Sequence, residues 1–135
     1  MNIDVSKFRK PTIEDGEIII PIDPFIYFDH EKQRLPRKHS KHFDLQRDTN
    51  HFLSFVLSDF EWAPDSSKYM VQISVTKGND TLGAGDLDNY SKAILDGITH
   101  SRKIWKDDGQ VDHLIVQRFY DNSRTSWIQV KIKKM

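Results

Sequence analysis

The chain has 135 residues, no cysteine, and 20 acidic side chains that balance 20 basic ones. Its length suits one domain with its own core, and the lack of cysteine excludes disulfides, thiolate catalysis and cysteine-based zinc sites. Its apolar runs are too short for a membrane helix of roughly 20 residues or for a signal peptide, so we expect one cytoplasmic domain over residues 1–135.

The N-terminal third predicts a strand followed by a basic loop. Residues 17–22, EIIIPI, form a short apolar run between Gly16 and Pro24, which predicts a strand. Pro21 within it indicates a strand end or a sheet edge. In the loop that follows, Glu31 is the single acidic residue beside five basic ones: Lys32, Arg34, Arg37, Lys38 and Lys41. From this charge run alone, a solvated loop and a patch that binds nucleic acid are equally good interpretations.

The middle of the chain predicts two helices with a strand between them. Residues 44–60 place apolar side chains at approximately helical spacing, which predicts the first helix. The stretch 68–77, KYMVQISVTK, alternates apolar with polar residues, the pattern of a half-buried strand. A glycine-rich connection, KGNDTLGAG, then leads to a second helix, with Asp88 as its cap and an end near Ile98.

Two alternating segments complete the chain. Residues 111–120 and 125–133 both have the period of two that predicts strands, and the turn sequence DNSR between them predicts a β-hairpin. The pattern as a whole predicts an α+β fold. We expect a small single domain with a mixed β-sheet, two main helices and a C-terminal β-hairpin.

The run GDLDNYSKAILDG gathers charge at the start of the second predicted helix. Asp86 and Asp88 are two residues apart and leave an extended backbone on the same side, while Lys92 follows Asp88 by one helical turn. A purely structural interpretation stays open, in which Asp88 caps the helix and forms a salt bridge with Lys92. The sequence KIWKDDGQV adds a second acidic pair, Asp107 and Asp108, before the next strand.

Paired carboxylates and a lysine indicate a particular chemistry. Mg²⁺ prefers carboxylate oxygens and keeps several waters, which leaves room for a phosphate. A bound metal polarises a phosphoryl oxygen and lowers the pKa of its water, while a lysine stabilises charge on the phosphate or the leaving oxygen. These residues therefore indicate metal-dependent hydrolysis of a phosphodiester.

The run GDLDNYSKAILDGI…IWKDDGQV resembles the signature of the RusA family of Holliday junction endonucleases. That signature is an Asp-x-Asp-Asn-x-x-Lys helix start followed by a Trp-x-Asp-Asp element. The match is close over residues 86–111 and looser over the last strands and over IPIDPF…KQRLPR near the N-terminus. The resemblance covers about half of the chain in an informative way, and it implies the α+β fold of that family.

The resemblance also implies roles for single residues. Asp86, Asp88 and Asp108 would hold Mg²⁺, with Mn²⁺ able to substitute, and Lys92 would be the catalytic lysine. Asp107 is a further candidate for the metal, and Asn89 also matches the motif, with ordering of the helix start as one role for it. The DNA-binding residues would then be the basic ones of the N-terminal loop: Lys32, Arg34, Arg37, Lys38 and Lys41.

The activity implied by the resemblance is resolution of four-way DNA junctions. Such an enzyme is a small homodimer, bacterial or phage-encoded, that nicks two opposed strands during recombination and repair and needs no organic cofactor. A nuclease for other branched DNA stays open as an alternative. A non-catalytic DNA-binding module is the less favoured one, because clustered carboxylates repel phosphate unless a cation intervenes. Trp105, beside the second acidic pair, is expected to pack under its loop rather than to stack on a base.

Overall fold

Five strands form one mixed sheet, and two helices pack on one of its faces. The structure, a computed structural model, describes residues 9–22, 41–80 and 84–135, with side chains from residue 47 onward in the second range. The strands are β1 (Thr12–Glu14), β2 (Glu17–Ile22), β3 (Tyr69–Lys77), β4 (Val111–Tyr120) and β5 (Trp127–Lys134). The helices are α1 (Lys41–Val56) and α2 (Leu87–Ser101). The α+β class and the mixed sheet are confirmed.

The strand order is β1-β2-β5-β3-β4, and only β3 and β4 are parallel. Parallel neighbours need a long crossover, which α2 supplies between them. The other neighbouring pairs, β1–β2, β2–β5 and β3–β5, are antiparallel. As a result, β3 lies inside the sheet and β4 forms one edge of it.

The predicted C-terminal β-hairpin is wrong, because β4 and β5 lie on opposite sides of β3. The six residues that join them cross the end of β3 instead of reversing the chain. Along this crossing the Asp121 amide donates to the Lys77 carbonyl at 2.9 Å, and the Asn79 amide donates to the Arg124 carbonyl at 2.9 Å. Alternation predicts that a segment is a strand, but it does not predict which strand lies beside it. Pairing with both β4 and β5 covers both edges of apolar β3.

Most other predicted elements are confirmed with shifted ends. The helix predicted at 44–60 begins at Lys41 and ends at Val56, because the next four residues form a turn. β1 was not predicted. Asp15 and Gly16, which join it to β2, both have positive φ, and an Asp-Gly pair is the sequence that such a two-residue hairpin turn requires. β1 pairs only with residues 17–19 of β2. Pro21 therefore lies where no described strand pairs with the outer side of β2, as its predicted place at a strand end or sheet edge requires.

The hydrophobic core lies between the two helices and one face of the sheet. Register places Ile73 of β3 beside Val130 of β5 and Val116 of β4, so alternate residues of neighbouring strands share this face. Ile94 and Ile98 supply the predicted core face of α2 and are fully covered. None of the helices in the described ranges has the length and apolar character needed to cross a membrane.

Gly78 is needed where the 121–126 crossing approaches the end of β3. A Cβ at this position would clash with the backbone of Arg124 and would lie 2.5 Å from the carbonyl carbon of Thr125. Ser126 fixes the same contact, because its hydroxyl accepts from the Gly78 amide at 2.8 Å and donates to Asp80 at 2.6 Å. The glycine therefore allows the 121–126 crossing to pack against the end of β3, so that β3 lies between β4 and β5.

Gly78→Ala should lower the free energy of unfolding by about 2 kcal/mol, the usual cost of an overpacked site that displaces backbone. Gly85→Ala is the matched control, because its Cβ would meet only the Tyr90 ring at an ordinary 3.5 Å. Both variants lose similar freedom in the unfolded chain, so their difference isolates the clash. Urea unfolding followed by tryptophan fluorescence measures it, and equal midpoints for the two variants would contradict this account.

Candidate active site

The first acidic pair lies at the N-terminus of α2. Asp86, and not Asp88 as predicted, is the N-cap, and it acts through its backbone: its carbonyl accepts from the amides of Asn89 at 3.1 Å and Tyr90 at 3.3 Å. The Asp86 carboxylate makes no capping hydrogen bond. Asp88 follows in the first turn, and both side chains are exposed. These two carboxylates are therefore available as ligands at the end of the helix where the dipole attracts negative charge.

Lys92 pairs with Asp96 rather than with Asp88. The distance from Lys92 Nζ to Asp96 Oδ2 is 3.5 Å, and the lysine side chain is 69% exposed. An exposed pair of this kind contributes a few tenths of a kcal/mol at most. The Asp88–Lys92 salt bridge of the purely structural interpretation is therefore not the one found. The ammonium group stays one turn from the acidic pair and is weakly held, so it can move to a phosphate oxygen.

Arg118, which the sequence did not single out, reaches the same end of α2 from β4. It lies opposite Val75 in the register, on the side of the sheet that faces the helices, and its guanidinium donates to the Gly85 carbonyl. Its Nε is buried and finds no acceptor among the described residues. The guanidinium thus holds the residue that precedes Asp86. Its position among the inward side chains of β4 was the available signal.

The second acidic pair divides into a cap and an uncommitted carboxylate. Asp107 is the N-cap of a short 3₁₀ turn, Asp108–Gln110, and its Oδ2 accepts from the Gly109 amide at 3.0 Å. The Gln110 side chain answers by accepting from the Asp107 amide at 3.1 Å, which completes a capping box. Asp108 takes no part in this box and is exposed. Of the two, Asp108 is the carboxylate left for a metal.

Gln110 ties this acidic turn to the beginning of β3. Its Nε2 donates to the carbonyls of Asp65 at 2.7 Å and Ser67 at 2.8 Å. Trp105 is fully buried under the same loop and donates from Nε1 to Thr99 at 2.7 Å, so the prediction that it packs is confirmed. Gln110 was missed by the sequence reading, although the spacing Asp-x-x-Gln is that of a capping box.

An ion pair between Asp65 and Lys134 stabilises the segment to which Gln110 is hydrogen-bonded. The Asp65 carboxylate lies 2.8 Å from Lys134 Nζ and accepts from the Ser67 amide at 3.0 Å. The Lys134 ammonium, followed by that amide, holds the pKa of Asp65 well below its ordinary value. The same contact raises the pKa of Lys134. The pair is therefore charged over the whole range between the ordinary pKa values of a carboxyl and an amine.

Helix α2 holds the two acidic pairs apart. Asp86 immediately precedes its first residue, Asp108 lies seven residues after its last, and the 15 residues of helix span about 22 Å at 1.5 Å each. The strand gives a similar length, because Arg118 near Asp86 lies eight residues beyond Gln110, or about 26 Å. Within the described ranges, no three His, Asp or Glu side chains lie close enough together to hold a metal. The described part of the chain therefore presents two separate acidic pairs.

The predicted DNA-binding residues fall mostly outside the described ranges. Lys41 is the exception, since it is the first residue of α1, which shows that the helix begins inside the basic segment. The others lie between residues 23 and 40, of which nothing structural is said: Lys32, Arg34, Arg37 and Lys38.

A family model described as Endodeoxyribonuclease RusA matches residues 26–133, a range that includes both acidic pairs and α2. The chain belongs to the RusA family of endodeoxyribonucleases. A search of curated proteins finds no match. Membership in the RusA family confirms the resemblance seen in the motif and makes the chain an endodeoxyribonuclease, an enzyme that acts on DNA. Asp86, Asp88, Lys92 and Asp108 of this RusA-family chain all lie inside the matched range.

Asp65→Asn should lower the free energy of unfolding at pH 7. The difference in this free energy between the variant and the parent should shrink as the pH falls below about 4. A carboxyl whose pKa is lower in the folded state than in the unfolded state stabilises the fold at pH values above the unfolded-state pKa. This contribution is lost as the pH falls through the folded-state pKa. Urea midpoints between pH 7 and pH 2.5 measure the effect. Asp59→Asn is the control, because Asp59 is 87% exposed and lies 3.9 Å from Lys10. A difference that stays constant with pH would contradict the ion pair.

Proposed function

We propose that the protein is a Mg²⁺-dependent endonuclease that resolves four-way DNA junctions by paired nicks in opposed strands. It would act as a homodimer in recombination and repair, in the cytoplasm of a bacterium, with the gene on a chromosome or a phage. The observation that carries this proposal is the position of uncommitted carboxylates at both ends of α2 in a chain of the RusA family.

The donor set fits a hard divalent cation. Asp86, Asp88 and Asp108 offer exposed carboxylate oxygens and no sulfur or imidazole, which is the chemistry that Mg²⁺ and Mn²⁺ accept. Asp107 is less suited, because one of its oxygens already caps the 3₁₀ turn. When bound, the ion would polarise a phosphoryl oxygen and supply a water of lowered pKa as the nucleophile.

Two cationic side chains complete the chemistry at the Asp86 end. Lys92 exchanges its exposed partner Asp96 for a phosphate oxygen and stabilises the charge that develops as the bond to the leaving oxygen breaks. Arg118 keeps the Gly85 carbonyl in place and so fixes the backbone from which Asp86 projects. Basic residues of the N-terminal segment would bind the DNA backbone without reading its sequence: Lys32, Arg34, Arg37, Lys38 and Lys41.

A second chain would complete each site. Helix α2, about 22 Å long, lies between Asp86 and the turn that holds Asp108, whereas the oxygen ligands of Mg²⁺ lie only about 2.1 Å from the ion. In a dimer with two-fold symmetry, the Asp86 end of each chain meets the Asp108 end of the other, which gives two equal sites. Two equal sites suit a four-way junction, which presents two symmetric strands to be cut.

The decisive experiment compares substrates. The protein is incubated with Mg²⁺ and with labelled four-way junction, flap, duplex and single-stranded DNA, and the products are separated on a denaturing gel. Symmetric paired cuts in the junction support resolution. Faster cutting of the flap would favour the alternative, a nuclease for other branched DNA, and binding without any cut would favour a non-catalytic module.

Asp86→Asn and Asp108→Asn should each abolish cleavage and leave junction binding intact or tighter, because each removes a ligand and a negative charge. Mixed together, the two variants should recover nicking, since a heterodimer then contains one site with both carboxylates intact. Asp86→Asn mixed with Asp88→Asn is the control and should stay inactive, because both changes lie in the same half. No recovery in a mixture that native mass spectrometry shows to contain heterodimers would contradict the shared site.

Lys92→Ala should lower the cleavage rate by about 10²-fold or more, with little change in melting temperature. Asp96→Asn separates the two roles of this lysine, because it breaks the same ion pair and keeps the ammonium group. That control should cleave at close to the parent rate. If both variants lose activity and melt early together, Lys92 acts through the ion pair and not on the phosphate.

A further inference from the structure

The side of the sheet that faces away from the two helices is a surface of its own. Along β3, Val71, Ile73 and Val75 are buried under the helices, and the residues between them point to the other side. Register continues this second side across the two neighbours of β3. We call it the open face, and it consists of the even-numbered residues 70–76 of β3 and the odd-numbered residues 113–119 of β4 and 127–133 of β5.

The open face carries positive charge along β5 and no negative charge on these three strands. None of its twelve residues is Asp or Glu, although the whole chain has 20 acidic residues. Lys131 and Lys133 project from β5, and the Arg124 guanidinium lies over the Trp127 ring, 4.1 Å from its centre. Beyond β5, the strand β2 places Glu17 beside Lys133, so the acidic boundary of the face lies on that side.

The β3 and β4 columns of the open face are neutral at their centre. Gln72 and Ser74 of β3 and Gln117 of β4 are half-buried, and such amide and hydroxyl groups both donate and accept hydrogen bonds. Ile115 lies level with Gln72 and is 37% exposed. A polar and apolar strip without charge therefore runs beside the line of cations on β5.

Two aromatic rings stand at one end of this strip. Phe119 of β4 and Trp127 of β5 both pair in register with Thr76, so they flank it from opposite sides. Thr76 is only 5% exposed, whereas Phe119 is 49% exposed. Neighbouring strands lie about 4.8 Å apart, which sets the two aromatic residues roughly 10 Å apart. Phe119 therefore offers a ring surface to solvent on the neutral side, and Trp127 holds the Arg124 guanidinium on the charged side.

We propose that the open face binds single-stranded DNA, with its phosphates along β5 and its bases over β3 and β4. Cations that follow the backbone, aromatic rings that stack on bases and amides that bond to base edges are the elements by which sheet surfaces bind unpaired strands. The outward residues of β5 from Trp127 to Lys133 span about 20 Å at about 3.4 Å per residue, which is room for several nucleotides.

Charge complementarity and the neutral strip together select this ligand. A polyanion fits a surface with cations and no carboxylate, because acidic side chains would repel its phosphates. A duplex would use the cations alone, since its bases are stacked and paired inside the helix, and would leave Phe119 and the glutamines without a role. DNA is the strand expected for a chain of the endodeoxyribonuclease family. This binding goes beyond the function proposed above, because it needs neither a metal nor a cut.

The salt dependence of binding tests the line of cations. Affinity for a fluorescein-labelled dT 12-mer is measured by fluorescence anisotropy in EDTA at several salt concentrations. Lys131→Ala and Lys133→Ala should each reduce the slope of log K against log salt by about 0.7, the contribution of one phosphate contact on a single strand. Lys10→Ala is the matched control, because Lys10 is 74% exposed before β1, and its slope should equal that of the parent. Equal slopes for all four proteins would overturn the proposal.

Replacement of Phe119 tests the bases. Phe119→Leu keeps an apolar side chain and removes the ring, so affinity for the dT 12-mer should fall about 10-fold, whereas Phe119→Tyr should bind like the parent. An abasic 12-mer has the same phosphates and should not distinguish these three proteins. Parent-like binding of the dT 12-mer by Phe119→Leu, or a duplex that competes as well as the single strand, would overturn the proposal. If Phe119→Leu fails to fold, the exposed lysines and the duplex competition still decide it.

Tryptophan fluorescence locates the bound strand. The dT 12-mer should quench the emission of the parent, and Trp127→Phe should lose most of this quenching while it keeps its affinity. Trp105 is fully buried and supplies an internal reference. Quenching that persists unchanged in Trp127→Phe would place the strand elsewhere and overturn the proposal.

The outcomes separate this face from the nuclease function. If the parent cuts junctions while the variants on β4 and β5 bind the dT 12-mer as the parent does, the open-face proposal falls and the nuclease function stands. If those variants lose affinity as expected while the parent cuts no DNA of any shape with Mg²⁺ or Mn²⁺, the open face stands and the proposed function falls. Asp86→Asn should bind the dT 12-mer at least as well as the parent, because its carboxylate lies at the end of α2 and not on this face.

Discussion

The parallel pairing of β3 with β4 is the constraint from which the rest of the structure follows. Two parallel neighbours cannot be joined by a turn, so the chain must return along the full length of the strands, and α2 is that return. Whatever stands at the two ends of the helix is then separated by its length. The motif places acidic pairs beyond both ends, so the topology itself keeps these carboxylates apart.

Hydrogen bonds decide which charged side chains remain available. Asp107 and Asp108 are neighbours of the same type, yet one oxygen of Asp107 is held by the turn that it begins, whereas Asp108 stays outside the capping box. At the other end, Asp86 caps α2 through its carbonyl, which leaves its carboxylate without a structural task. In both places the backbone is stabilised without using the side chain on which the proposed chemistry depends.

The sequence predicted the type of almost every element but not which strands are neighbours. Periodicity records which side chains are buried, so β2, β3, β4 and the core face of α2 were found from it. It does not record pairing, and the antiparallel hairpin expected for β4 and β5 was wrong because apolar β3 takes the position between them. That choice depends on contacts between residues far apart in sequence, such as the packing of Gly78 against the 121–126 crossing.

The candidate site was predicted at the level of residues and not at the level of geometry. The motif singled out the two acidic pairs and the lysine, since their chemistry is written in residue type and spacing. The sequence also predicted the helix between Asp88 and Asp108, but only the structure shows that, among the described residues, no three His, Asp or Glu side chains come close enough together to hold a metal. Arg118 was missed although it alternates in phase with Leu114 and Val116, because the contact that gives it a role is with Gly85, 33 residues away in the sequence.

The length of α2 also bears on how such a nuclease would be kept harmless. In the homodimer proposed above, a chain that holds only part of each site would bind the metal weakly on its own, so a newly made protomer would carry no cutting activity while it searches for its partner. While dimers are scarce, the rate of cutting would rise with the square of the chain concentration. The amount of protein made would then control the enzyme, and no separate inhibitor would be needed to protect intact DNA.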